Sequence, residues 1–179
     1  MINRKKFYDS VRRIIGKITT SQLQGFEAIL DKWEADNWKD LRWLAYILAT
    51  AYHETAHTMK PVREYGRGRG HQHGEVHPKT GQIYYGRGHV QLTQDYNYLR
   101  FGKLLGIDLY KNPDLAMQMD ISLKILFIGM VQGMFTGKTL GQYFNDDTAD
   151  WVEARRIVNG KDRAELIAGY AVHFFESLS

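Results

Sequence analysis

His53-Glu54-Thr55-Ala56-His57 is the segment whose residue types are best suited to chemistry. Read on a helix, H-E-x-x-H puts two imidazoles on one face with a carboxylate beside them, the spacing of a zinc peptidase. A zinc site needs a third ligand, and the extended motif fails: Lys60 stands where glycine is needed and Arg63 where histidine is needed. His71, His73, Glu75 and His77 are further donors that nothing in the sequence places. Glu54 has a second reading. On a helical wheel it lies between Trp43 and Ile47, at the shoulder of an apolar face. A carboxyl there is expected to be partly desolvated and held protonated near neutrality, as a general acid for glycosidic cleavage must be.

The other constellation runs Tyr84-Tyr85-Gly86-Arg87-Gly88-His89-Val90-Gln91-Leu92-Thr93, then Asp95-Tyr96-Asn97-Tyr98. Tyrosine faces suit pyranose rings, and amides suit hydroxyl and N-acetyl groups. The same residues also fit a tight turn whose tyrosines belong to the core. The glycines do not form G-x-G-x-x-G after a strand, which argues against a nucleotide loop.

These groups must be positioned by a largely helical chain. Residues 4–18 carry Phe7, Val11, Ile14, Ile15 and Ile18 at helical spacing, with basic residues opposite. Ser21 and Gln24 fit a capping box for a helix through Trp33. Asp40 caps a third helix, whose apolar face is Leu41, Leu44, Ala45, Leu48 and Tyr52, ending near Met59 because Pro61 cannot continue it. Residues 63–89 hold seven glycines, four arginines and four histidines without any period, a long loop with at most a short strand at Ile83-Tyr84-Tyr85. Loops of this length inside a small domain are usually functional. Helical spacing returns at 95–105. After an Asn112-Pro113-Asp114 turn, a buried helix is expected near 119–135, then helices at 148–158 and 162–178, the last capped by Asp162.

With 179 residues the chain makes one domain, long enough to bury roughly 70% of its unfolded surface. It has no cysteine, which excludes disulfides, thiolate metal sites and thiol nucleophiles. No run of about 18 apolar residues is present to span a membrane. Met1-Ile2-Asn3-Arg4-Lys5-Lys6 lacks a following apolar stretch, so synthesis in the cytoplasm without a cleavable signal is expected. The net charge of +4 favours polyanions, whether nucleic acid, anionic lipid or bacterial wall. No nucleic-acid-binding motif accompanies it.

The pairing of His53-Glu54-Thr55 with Tyr84-Tyr85-Gly86-Arg87-Gly88-x-x-Gln91-Leu92-Thr93-x-x-Tyr96-Asn97-Tyr98 resembles glycoside hydrolase family 19, in its phage and prophage endolysin branch. Asn112-Pro113-Asp114-Leu115 and Arg156-Ile157-Val158-Asn159-Gly160 extend the resemblance, which covers about residues 40–165. It implies a mainly α, lysozyme-like single domain over 1–179, with a long irregular cleft loop and the N-terminal helices 4–33 packed on it. It also implies hydrolysis of a β-1,4 bond next to an N-acetylated sugar, with inversion and no cofactor. By the resemblance Glu54 is the general acid and Thr93 helps hold the attacking water. Glu64 is the base, with Glu75 as the alternative. Tyr85, Arg87, Gln91, Tyr96, Asn97 and Asn159 fall on cleft or substrate-contacting positions. The chain departs from plant members at Ala56-His57, where they have Gly-Gly, and at His89, where they have proline. These departures weaken chitin as the substrate.

The preferred expectation is a monomeric peptidoglycan-cleaving muramidase without a metal, acting on the wall after release through the membrane. Its basic N-terminal helix would touch the anionic wall or outer membrane. A zinc peptidase using His53, Glu54 and His57 is the alternative, a chitinase the second, and a non-enzymatic wall- or nucleic-acid-binding module the third.

Overall fold

The computed structural model describes residues 1–179. Seven α-helices are α1 (Arg4–Ile15), α2 (Thr20–Ala35), α3 (Leu41–Glu54), α4 (Asp95–Leu105), α5 (Met119–Gln132), α6 (Leu140–Tyr143) and α7 (Ala164–Leu178). The only sheet is a two-residue antiparallel pair, β1 (Val62–Arg63) with β2 (Arg87–Gly88), in the register Val62 to Gly88 and Arg63 to Arg87. The α3 helix is the axis of the domain. Every residue from Leu44 to Tyr52 is buried, and α7, α2 and α5 pack around it. The expected mainly α, single-core architecture with a long irregular segment is what is found. No helix is long and apolar enough to cross a membrane.

Asp40 caps α3 as expected, accepting from the Arg42 N–H at 2.9 Å. Five assignments differ from the sequence reading for identifiable reasons. The capping box of α2 is Thr19 with Gln22, not Ser21 with Gln24: the Gln22 N–H donates to Thr19 Oγ1 and the Thr19 N–H to Gln22 Oε1. The strand expected at Ile83-Tyr84-Tyr85 is irregular backbone, because Ile83 and Tyr85 carbonyls accept from side chains, Arg87 Nη1 and the Tyr98 hydroxyl. At the last helix Asp162 is not the cap. Its carbonyl accepts from Arg155 Nε at 3.0 Å, and Arg163, at φ 58°, occupies the cap position. The helix expected at 148–158 is only a 3₁₀ turn, Glu153–Ile157.

The most consequential difference is the end of α3, which stops at Glu54 rather than near Met59. Thr55 is fully buried. Its hydroxyl donates back to the Ala51 carbonyl at 2.7 Å and accepts from the Met59 N–H at 2.9 Å. The backbone then enters the left-handed region at Ala56, His57 and Met59, with φ of 49°, 69° and 60°. Such conformations cost about 1–2 kcal/mol per non-glycine residue. They are held by α2, where Gln22 Nε2 donates to the His57 carbonyl and Ser21 Oγ to that of Thr58. Gly25 lets the two segments meet, since a Cβ there would lie 2.0 Å from the Met59 carbonyl oxygen.

A second clip fixes the same segment from the other side. His89, with no exposed surface, faces the Met59 carbonyl through Nε2 at 3.3 Å and Ser122 Oγ through Nδ1 at 2.7 Å. The carbonyl can only accept, so Nε2 carries the proton and Nδ1 accepts from the Ser122 hydroxyl. Ser122 Oγ in turn accepts from the His89 backbone N–H at 2.9 Å. Burial, opposed by the Met59 bond, pulls the imidazole from its ordinary 6.5 down to about 4. The unfolded chain therefore takes up this proton first as pH falls. The penalty is absent above pH 6.5, grows through that window and saturates below about pH 4, reaching about 3 kcal/mol. Urea midpoints measured across pH 7 to 4 are expected to fall more steeply for the wild type than for His89→Gln, which keeps a donor toward Met59. Equal slopes would show that His89 carries no such linkage.

Candidate active site

Glu54, the last residue of α3, is half-buried and points to Arg155 of the 3₁₀ turn Glu153–Ile157. Arg155 Nη1 donates to Glu54 Oε1 at 2.7 Å from a guanidinium only 3% exposed. The sequence reading places Glu54 at an apolar shoulder; the structure adds a buried cation as its partner there. Arg155 belongs to the site and was invisible in the sequence, where Arg155-Arg156 reads as surface charge. Only the closure of the fold brings it to Glu54, 101 residues earlier.

Glu64 follows β1 and is also half-buried. Gly86 N–H donates to its Oε2 at 2.8 Å, and His73 Nε2 lies 3.1 Å from each carboxylate oxygen. Burial pushes this carboxyl up, but the Gly86 bond and the His73 bond, with the charge of His73 and His71, outweigh it. The net position is below the ordinary glutamate value. Glu75, the alternative base, is exposed at the end of the turn Gln72–Gly74. It lines a polar cleft of about 250 Å³ with His73, His77, Tyr84, Gln94 and Asp95.

Thr93 lies on the strand-side turn beyond Gly86. Its carbonyl accepts from Asn97 Nδ2 at 3.0 Å, and its half-buried hydroxyl has no partner within the protein. Gln91 gives its amide hydrogens to the carbonyls of Val62 (3.0 Å) and Gly88 (3.3 Å), tying the turn to β1 and leaving only Oε1 open. Tyr96 is exposed in the first turn of α4. Asn159 is exposed just beyond Arg155. Its N–H donates to the Arg155 carbonyl, and its Oδ1 accepts from Gly160.

Two expected substrate contacts are corrected. Arg87 and Tyr85 are buried, at 4% and 5% exposure. Arg87 spends its donors on Asp114 Oδ1 (2.7 Å), the Ile83 and Tyr85 carbonyls and the Tyr98 hydroxyl. Its guanidinium lies 3.6 Å from the Tyr85 ring centre. Both residues hold the turn and offer a glycan almost no surface.

The zinc alternative is overturned by the end of α3. His57 lies beyond the helix, in left-handed backbone, and its ring stacks on Tyr52 at 4.2 Å. The two imidazoles thus do not share a helical face, and no three His, Asp or Glu side chains are grouped to hold a metal ion. His53 itself is half-buried, and burial pulls it below its usual range.

The catalytic candidates therefore fall into two groups, Glu54 with Arg155 and Asn159, and Glu64 with Gly86, Gln91, Thr93 and Asn97. They share no hydrogen-bond partner; the strained segment 55–63 joins them. The family model for class I chitinases, glycoside hydrolase family 19, matches residues 41–133, more than half of the chain and both carboxylates. The chain belongs to glycoside hydrolase family 19. Among its relatives, a basic endochitinase of Vitis vinifera is 50% identical over 49 residues, 27% of this chain and 16% of that protein. An inactive chitinase-like protein of Hevea brasiliensis is 57% identical over 36 residues, 20% of this chain and 12% of that one. The matches thus span a small part of those relatives' own lengths. Chitinase C from Streptomyces griseus HUT6037 superposes with a TM-score of 0.67 at 20% identity, covering 99% of this chain and 76% of that one. The family 19 fold, helical and lysozyme-like, is shared along the whole chain.

Proposed function

We propose that the chain hydrolyses β-1,4 glycosidic bonds of bacterial peptidoglycan by a single displacement, with Glu54 as acid and Glu64 as base. The observation that carries this reading is the Glu64 carboxylate, held ionised by Gly86 and His73 on the turn that also presents the free Thr93 hydroxyl. An ionised carboxylate accepts a proton from water; a neighbouring hydroxyl without a partner can hold that water by its oxygen. Glu54 supplies the other half. Arg155 engages only Oε1, so Oε2 is free to carry the proton to the glycosidic oxygen. As the C1–O bond breaks, the proton passes to the leaving oxygen and negative charge develops on Glu54. The Arg155 contact strengthens with that charge, which is how a pre-positioned cation lowers a barrier. Water attacks C1 from the opposite face and gives its proton to Glu64, inverting the anomeric centre.

The net charge of +4, which favours an anionic wall, supports peptidoglycan over chitin. Part of the basic N-terminal helix is already neutralised: Arg4 pairs with Glu27, Asp31 and Glu34, and Lys5 and Arg12 with Asp9. Attraction to the wall thus falls to Lys6, Arg13 and Lys17, with the one charge that the single Asp9 leaves over between Lys5 and Arg12. The same reading makes the chain a phage endolysin, released through the membrane to reach its substrate. A chitinase is the second reading, favoured by the names of the relatives. Digestion of purified peptidoglycan and of chitin, with mass spectrometry of the new reducing ends, decides between them. Fragments ending in N-acetylmuramic acid, with the α-anomer formed first, are expected. Chito-oligosaccharides alone would establish the chitinase, and retention of configuration would reject the mechanism.

A further inference from the structure

Residues 64–74 form a closed loop that returns to its own start, and His73 is the side chain it delivers. The Glu64 carbonyl accepts from the Arg67 N–H, the Gly68 carbonyl from the His71 N–H, and the His71 carbonyl from the Gly74 N–H. Two glycines let the loop close on itself. A Cβ on Gly74 would lie 1.9 Å from the Gly68 carbonyl oxygen, and one on Gly68 would lie 2.7 Å from His73 Cδ2. The His71 ring stacks flat on that of His73, with 5.3 Å between centres and 3° between planes. His73 is thereby fixed on both sides, with its side chain 18% exposed and Nε2 equidistant from the two Glu64 oxygens. An ionised carboxylate only accepts, so Nε2 must be the protonated nitrogen.

We propose that His73 is a positioning residue for the reaction, orienting the Glu64 carboxylate toward its water together with the Gly86 N–H. This rests on the assignment of Glu64 as the base. Gly86 alone would leave the carboxylate free to rotate about its bond to Oε2; the bifurcated His73 contact removes that freedom. The groups that face Glu64 are Gly86 N–H, His73 and, behind it, His71. Because the His73 bond is among those that hold the carboxyl low, its loss has a signature that loss of packing does not share.

The experiment compares wild type, His73→Ala, His73→Gln and Glu64→Gln. Carbon NMR of the labelled Glu64 carboxyl gives its titration directly, and reducing-end release from purified peptidoglycan or an N-acetylglucosamine hexamer gives the kinetics. In His73→Ala the Glu64 titration and the acid limb of kcat/KM are expected to move together to higher pH. kcat should fall by about 10-fold to 10²-fold, the scale of a misplaced catalytic group, with KM changed less than kcat. His73→Gln, which keeps a donor at the same reach, should recover most of kcat. An unmoved Glu64 titration in a folded His73→Ala, with Glu64→Gln inactive, would overturn the positioning role alone. An active Glu64→Gln would instead overturn the base assignment, and the proposal with it.

Discussion

Replacing Glu54 with glutamine is expected to lower glycan cleavage by about 10²–10⁴-fold, the usual cost of losing an acid in the transition state. Glutamine matches glutamate in shape, and its Oε1 can still accept from Arg155, so the end of α3 keeps its geometry. What disappears is the proton on the second oxygen and the negative charge that would develop there. Arg155, nearly fully buried, keeps the glutamine Oε1 and the Asp162 carbonyl as acceptors but loses the carboxylate that can balance its charge. A buried ion left unpaired costs stability, so the variant should melt lower than the wild type. Assays therefore belong well below its transition, with circular dichroism on the same sample. A folded variant that retains more than about a tenth of the wild-type rate would remove Glu54 from the acid role.

How far such roles are legible in the sequence depends on the range of the forces that set them. Asp95–Leu105 was readable as a helix because its apolar spacing is local, and Asp40 was readable as a cap for the same reason. The buried face of α3 followed from periodicity alone. The end of α3 did not. Nothing between Thr55 and Met59 is a helix breaker by type; the left-handed turn is imposed by Gln22, Ser21 and Gly25 on α2 and by His89 from beyond the loop. Pro61 was a reasonable stop signal placed too late to matter. That one misplaced boundary made His53 and His57 resemble a metal pair. Glu54 and Glu64 were legible as candidates through a family resemblance, but their partners were not. Arg155 and His73 reach them through tertiary closure and through a loop held by glycine contacts, neither of which leaves a periodic trace. The buried role of Arg87 is hidden for a related reason: a glycine-flanked arginine fits a cleft position until the carbonyls of Ile83 and Tyr85 are seen turned toward it.

That inversion of the Arg87 role yields the second large effect. Arg87→Met should lower stability by about 3 kcal/mol, since it strips partners from buried polar groups rather than from a solvated cleft. The Ile83 carbonyl loses the side-chain bond that replaces a ladder partner, Tyr85 loses one of its two, and the Tyr98 hydroxyl loses its donor. The stacking of the guanidinium on Tyr85 goes as well. Methionine fills much of the volume but returns none of these bonds. For a chain of this length a loss of that size corresponds to a fall in Tm of roughly 6–12 °C. Arg87→Lys should recover only part of it, because an ammonium cannot address Asp114 and the carbonyls in one planar fork. Differential scanning calorimetry of the three proteins provides the check. A substrate-contacting arginine would behave in the opposite way, with an unchanged Tm and a raised KM, and that result would return Arg87 to the cleft. The scaffold assignment further requires that activity fall in step with unfolding. Glu64 is gripped by the N–H of Gly86, the residue immediately before Arg87, so the base loses its anchor when the turn loosens.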